Sequence, residues 1–218
     1  MRNRFQKELD ELNTNLIQLG GLVEQVIGTS INALIKQDKQ IAESVIADDK
    51  EVTALAGVIE SSALRILLRQ QPVASDLRVI STALKMISDM ERIGKQARDI
   101  CSIVLHLCDE DYATKLVIIP LMAENVRQMV NACINSFVRQ DIDLAKKVIQ
   151  MDDEVDNQFA KVREKMIHLI QGKPEYADQA IYLMMVAKYL EKIGDHAENI
   201  AEWVIFSKTG EKRNIKLL

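Results

Sequence analysis

The chain has 218 residues, of which 48% are hydrophobic and only 4% aromatic, and it contains eight glycines and three prolines. This scarcity of helix-breaking residues is typical of long helices. The formal net charge of −4 argues against general binding to nucleic acid. Three cysteines without C-x-x-C spacing argue against a disulfide framework. The longest apolar run, residues 116–123, is shorter than the roughly 20 residues that span a bilayer, and the N-terminus does not resemble a signal peptide, so we expect a cytoplasmic protein.

The first predicted helix runs from about residue 9 to residue 36, because apolar residues recur there at helical spacing. Gly20 and Gly21 interrupt this pattern. A glycine inside a helix costs up to about 1 kcal/mol relative to alanine. We therefore expect the glycines to mark a close approach of another helix.

A second and a third helix follow in the first half of the chain. Asp38 is placed to cap the N-terminus of the second helix, which we predict to continue to about residue 68. Pro72 fits the first turn of the third helix, where a missing N–H group is harmless. No segment alternates with the period of a β-strand, so the sequence predicts no strands.

The second half of the chain repeats the first. Residues 134–141 resemble residues 31–38, and the similarity continues at a constant offset into the next helix. Asp141 takes the place of Asp38 as a predicted helix cap. Glycine and proline at 172 and 174 end one helix and begin the next.

This duplication predicts the fold class and the domain organisation. Each unit contains three long helices, and short connections between helices make neighbours antiparallel. We therefore predict an all-α protein of six helices in two tandem three-helix bundles, with domains at residues 1–108 and 109–218. A polar segment at residues 109–112 links them.

The last predicted helix carries a row of four acidic residues. Glu191, Asp195, Glu198 and Glu202 follow the spacing i, i+4, i+7, i+11, so they share one side of the helix. Like charges at i,i+4 destabilise a helix slightly. The row is either a solvated polar face or part of a cation site.

A second acidic pair, Asp152 and Asp156, lies near the start of the preceding helix. Carboxylates at i,i+4 have Cβ atoms about 5–6 Å apart and can bind a hard or borderline cation. The sequence leaves open whether this pair and the Glu191–Asp195 pair converge on one site. His196 projects about 100° around the helix from that edge, which favours a surface position over a ligand.

The first unit lacks half of each acidic pair. Asp49 is followed four residues later by Thr53, and Glu91 by Lys95. Lys95 can neutralise Glu91 without a metal. If the pairs bind metal, the second unit should bind it much better than the first.

Several local motifs resemble the PhoU family of phosphate-transport and phosphate-signalling regulators. Residues 72–78 read Pro-Val-Ala-Ser-Asp-Leu-Arg, and residues 90–94 read Met-Glu-Arg-Ile-Gly. Residues 190–200 read Leu-Glu-Lys-Ile-Gly-Asp-His-Ala-Glu-Asn-Ile. With the duplicated unit, the resemblance covers essentially the whole chain.

The resemblance implies a cytoplasmic, non-catalytic regulator of phosphate homeostasis. Family members commonly form homodimers and act with the ATPase subunit of an ABC phosphate importer and with a membrane sensor histidine kinase. Through these partners they repress phosphate-starvation genes and restrain phosphate uptake when phosphate is plentiful. From the short apolar runs and the net charge, we also expect contact with the membrane only through partners, and no contact with nucleic acid.

The resemblance also implies metal binding, because some family members carry metal clusters on Glu/Asp-x-x-x-Asp motifs. Those clusters include iron, and sites made only of carboxylates accept Fe, Mn, Mg or Zn according to availability. Carried over residue by residue, the resemblance gives as principal ligands Asp152, Asp156, Glu191 and Asp195. Possible neighbours of these ligands are Asn199 and Glu202. The weaker half-motifs of the first unit are Asp49 and Glu91.

Two alternatives belong to other functional classes. One is a helical scaffold whose carboxylates bind metal or are only solvated, without phosphate signalling. The other is a metal enzyme built on bundle carboxylates, which would need inward-facing Glu-x-x-His pairs. Glu164 and His168 have the different spacing i,i+4. We therefore expect no enzyme.

Overall fold

A computed structural model of the chain describes residues 2–47, 50–70, 72, 75–212 and 215–216. Within these ranges the fold is all-α, as the sequence predicts, apart from one short hairpin. The helices are α1 (Arg2–Lys36), α2 (Lys39–Ala47), α3 (Lys50–Gln70), α4 (Ser75–Leu107), α5 (Ile118–Arg139), α6 (Ile142–Gly172) and α7 (Ala177–Thr209). A 3₁₀ turn at Pro174–Tyr176 precedes α7.

The connections after α1 and α5 share one geometry. Gln37 and Gln140 both adopt a left-handed backbone, with φ of 52° and 54°. The next residue then caps the following helix, since Asp38 accepts a hydrogen bond from the Ile41 N–H at 3.0 Å and Asp141 accepts one from the Leu144 N–H at 2.9 Å. Both predicted caps are confirmed.

The structure differs from the predicted elements in one divided helix and one added hairpin. The second helix of the first repeat is described as α2 and α3, on either side of residues 48–49. The short hairpin pairs β1 (Glu211–Lys212) antiparallel with β2 (Ile215–Lys216) and is absent from the sequence prediction. It follows Gly210, whose positive φ of 77° ends α7.

The two repeats pack side by side. Helix α4 lies along α7, and α1 packs on α5. Buried side chains from both repeats therefore form one continuous core cluster. The domain division at residues 108 and 109 stays a prediction.

Helix α1 continues through Gly20 and Gly21 without a break, and only Gly20 lies at a close contact with another helix. A Cβ atom on Gly20 would lie 2.1 Å from Cδ1 of Ile134 on α5, whereas one on Gly21 would meet no described atom within 4 Å. Gly20 thus permits the contact between the repeats. Within the described ranges, no helix combines the length and hydropathy needed to cross a membrane.

Candidate metal centre

The contact between α6 and α7 brings three carboxylates together. Asp152 and Asp156 come from α6, and Asp195 comes from α7. Each offers one oxygen atom, and these three atoms lie within 4.8 Å of one another. The structure thereby answers the question that the sequence leaves open, because the α6 pair converges with one member of the α7 pair.

Asp152 is the buried member of this acidic group. The residue is only 8% exposed, and its Oδ1 atom has no hydrogen-bond partner among the described residues. Gly194 on α7 makes room for it, since a Cβ at that position would lie 2.7 Å from Asp152 Oδ1. The absence of a side chain at Gly194 therefore allows the carboxylate to sit against the helix backbone.

Burial and like charges raise the pKa of two of these carboxyl groups. The pKa of Asp152 rises to about 7, mainly because burial disfavours the charged form. The neighbouring acids raise it further, in the order Glu198, Asp156, Asp195 and Glu191. The pKa of Asp156 is raised by burial and then by Glu191 and Asp195. A bound cation would relieve both causes, and carboxylate oxygens are the ligands that hard cations prefer.

Two lysines partly balance the acidic group. Lys188 donates a hydrogen bond to Glu191 at 2.6 Å, and its Nζ lies 5.1 Å from the centre of the Phe159 ring. Lys192 donates to Asp195, which is the main reason that the pKa of Lys192 is raised. Lys192 Nζ also lies 3.4 Å from Glu191. A metal ion at this site would compete with Lys192 for Asp195.

The sequence pattern that defines the PhoU domain matches residues 16–104 and again residues 119–204. The chain belongs to the PhoU family. The two matches coincide with the two repeats, so each repeat matches the PhoU domain once.

Known proteins resemble the chain over nearly its full length. A phosphate-specific transport system accessory protein PhoU homolog from Aquifex aeolicus is 38% identical over 205 residues, which cover 94% of this chain and 93% of that protein. The crystal structure of PhoU from Pseudomonas aeruginosa matches with a TM-score of 0.89 at 34% identity, covering 95% of this chain and 100% of that one. The crystal structure of the phosphate transport system regulatory protein PhoU from Streptococcus pneumoniae matches with a TM-score of 0.87 at 26% identity, covering 95% of this chain and 98% of that one.

The first PhoU repeat keeps the backbone of the site without its acids. A Cβ on Gly94 would lie 3.4 Å from Val52, and one on Gly194 would lie at the same distance from Val155, the counterpart of Val52. Only Gly194 also faces a carboxylate. Glu91 is half-buried, and no comparable acidic group forms among the described residues of this repeat. Asp49 lies outside the described residues.

Three predicted ligands lie beside the acidic group rather than within it. Glu191 is 9% exposed and is held by the two lysines. Asn199 donates to Asp89 on α4 at 2.6 Å and accepts from Lys212 at 2.5 Å. Glu202 lies two turns beyond Asp195, roughly 10 Å along the helix, and pairs with Lys212 at 3.4 Å. The structure therefore does not bring Asn199 and Glu202 to the cluster.

The interpretation of His196 as a surface residue is wrong. Its Nδ1 lies 2.9 Å from Asp89, which is only 4% exposed in the contact between α4 and α7. Comparison of the repeats does not point to Asp89, because its counterpart in the second repeat is Tyr189. The sequence feature that could have indicated a buried Asp89 is its position between the apolar residues Ile87 and Met90.

Glu198 is the second residue that the site prediction omits. The acidic row includes it, and among the neighbouring charges it has the largest effect on the pKa of Asp152. Its influence depends on the packing of α7 against α6, which the spacing within α7 does not reveal.

Proposed function

We propose that this protein is a regulator of phosphate homeostasis that acts by binding other proteins. The observation that carries the proposal is the match of both repeats to the PhoU domain, together with relatives named for phosphate transport. Those relatives are described as accessory or regulatory proteins, which supports a non-catalytic role.

The partners we propose are the ATPase subunit of an ABC phosphate importer and a membrane sensor histidine kinase. The protein works in the cytoplasm as a homodimer and reaches the membrane through these partners. When phosphate is plentiful, it restrains uptake and represses phosphate-starvation genes. Its long helices offer the extended surfaces that such an adaptor needs.

We also propose that Asp152, Asp156 and Asp195 hold a divalent or iron-type cation. The supporting observation is the buried, unpartnered oxygen of Asp152 within reach of two further carboxylates. An all-carboxylate set suits Mg, Mn or Fe and also accepts Zn. The cation would neutralise the acids and fasten α6 to α7.

One purification tests both proposals. The tagged protein is isolated from cells grown with ample phosphate, and bound partners and metals are quantified on the same sample. We expect the ATPase subunit, the kinase and a bound metal with the wild type, and loss of metal from Asp156→Ala and Asp195→Ala. A Glu91→Ala variant is the matched control from the first repeat and should keep the metal. Equal metal in all variants would refute the site, and absence of both partners would refute the adaptor role.

A further inference from the structure

The outer side of α3 exposes four apolar residues to solvent, on one stripe with Ser61 and, at the N-terminal end of the helix, Lys50. Ala54, Gly57, Ser61, Leu64 and Leu68 lie within about 80° of arc at 100° per residue. We call this set the α3 face. Leu64 is 46% exposed and Leu68 is 82% exposed. The opposite side of the helix supplies the core residues Val52, Ala56, Ile59, Ala63 and Ile66.

The second repeat shows that the fold does not require an apolar surface here. At the constant offset of the duplication, the counterparts of the α3 face on α6 are Asn157, Ala160, Glu164, Ile167 and Gln171. Three of these five positions carry polar or charged side chains, as an ordinary solvated helix does. The α3 face is therefore more apolar than its counterpart, with four apolar residues against two.

The α3 face is complementary to itself when two copies run antiparallel. Its N-terminal half has the small residues Ala54 and Gly57, and its C-terminal half has the large residues Leu64 and Leu68. Crossing near Ser61 places Leu68 of one copy over Ala54 of the other, and Leu64 over Gly57. A Cβ on Gly57 would meet no described atom within 4 Å, so this space is open to a second chain.

The charges at one edge of the face fit the same register. Glu51 and Arg69 are separated by 18 positions, about five full turns, so they lie at the same angle on α3. In an antiparallel pair related by a two-fold axis, corresponding edges adjoin. Glu51 of each copy then lies opposite Arg69 of the other copy.

From this complementarity of size and charge, we propose that α3 forms the seam of an antiparallel homodimer. The inference rests on the homodimer of the proposed function and assigns its interface, independently of any role in phosphate control. A helix of 21 residues is about 30 Å long, so the contact is small for a specific interface.

Sedimentation equilibrium of the full chain tests the seam. We expect a wild-type dimer, and a Kd raised at least about tenfold by Leu64→Arg or Leu68→Arg, because a buried charge replaces an apolar contact. Ile167→Arg is the matched control, since Ile167 is the counterpart of Leu64 and is equally exposed at 46%. Circular dichroism checks that the variants fold.

The register has its own test in a Cys108→Ala background. Mixed Ala54→Cys and Leu68→Cys proteins should form a disulfide-linked heterodimer, whereas neither protein should crosslink efficiently to itself. Self-crosslinking of Ala54→Cys would indicate a parallel pair and overturn the proposal.

The other possible results of these experiments distinguish failure of the proposed seam from failure of the homodimer and of the adaptor role. A dimer unaffected by both α3 substitutions refutes the seam but leaves the dimer intact. A monomeric wild type at all concentrations refutes both. Loss of the ATPase subunit from Leu68→Arg with an unchanged dimer would assign the face to that partner and refute the seam.

Discussion

Gly194 and Asp152 show how one missing side chain can determine a site. A Cβ on Gly194 would lie 2.7 Å from Oδ1 of Asp152, whereas a Cβ on Gly94, at the same position of the first repeat, would meet only Val52 and Arg98, at 3.4 Å or more. The glycine is common to both repeats, whereas the acid belongs to one. Gly194 therefore has a role that its counterpart Gly94 lacks.

The two glycines make a matched pair of substitutions. Gly194→Ala should lower metal affinity by at least about tenfold, because the new methyl group displaces the Asp152 carboxylate. Gly94→Ala should keep the metal and stabilise the protein by up to about 1 kcal/mol through helix propensity. Metal titration and urea unfolding measure the two effects. Equal metal affinities would contradict the role given to Gly194.

The raised pKa of Asp152 makes the stability of the metal-free protein depend on pH. Its pKa is about 7 in the folded state, above the ordinary value of 3.8, so the folded state holds this proton more tightly. The contribution to stability is fully present below pH 3.8 and is lost as pH rises through 7. The loss amounts to roughly 4 kcal/mol at most.

Asp152→Asn removes this titration while keeping the shape of the side chain. In the presence of a chelator, we expect the variant to be about 2–4 kcal/mol more stable than the wild type at pH 8 and nearly equal to it at pH 4. Urea unfolding at both pH values measures the difference. A difference that does not change with pH would show that Asp152 does not titrate in this window.

At the scale of residues, the sequence predicts part of the site. Spacing places Asp152 beside Asp156, since both lie on one helix. It cannot show that Asp195 joins them, because this depends on how α6 packs against α7. The spacing likewise does not show the hydrogen bonds of Asn199, because its partners, Asp89 and Lys212, come from other elements.

Helix α1 contains another matched pair of glycines. Gly20→Ala should leave the protein about 1 kcal/mol less stable than Gly21→Ala does, because its methyl group would overlap Cδ1 of Ile134 on α5 and force the end of that buried side chain to move. Gly21→Ala points into open space and should raise stability by up to about 1 kcal/mol. Urea unfolding compares them, and equal effects would show that the α1–α5 contact adapts without strain.

At the scale of elements, boundaries set by local chemistry were predictable. Asp38 and Asp141 form their capping bonds within one turn of their own position, so the sequence contains the whole signal. The hairpin after α7 was not predictable, because its two-residue strands are too short to show a period. Lys212 from this hairpin lies 4.0 Å from the centre of the Trp203 ring and bonds to Asn199, so its contacts are tertiary.

The whole molecule is a duplication whose two halves have diverged on their surfaces. The packing of α4 on α7 and of α1 on α5 joins both halves in one core. The second half keeps the acids at Asp156 and Asp195, and the first half has the apolar α3 face. Both halves keep the fold, whereas the proposed metal site lies in the second half and the proposed dimer seam lies in the first.

Phosphate uptake in a strain that lacks this gene tests the regulatory role most directly. In phosphate-rich medium, we predict higher uptake and higher expression of phosphate-starvation genes than in the parent, and a return to the parental level when the wild-type gene is restored. Uptake and expression that stay at the parental level after deletion would contradict the account.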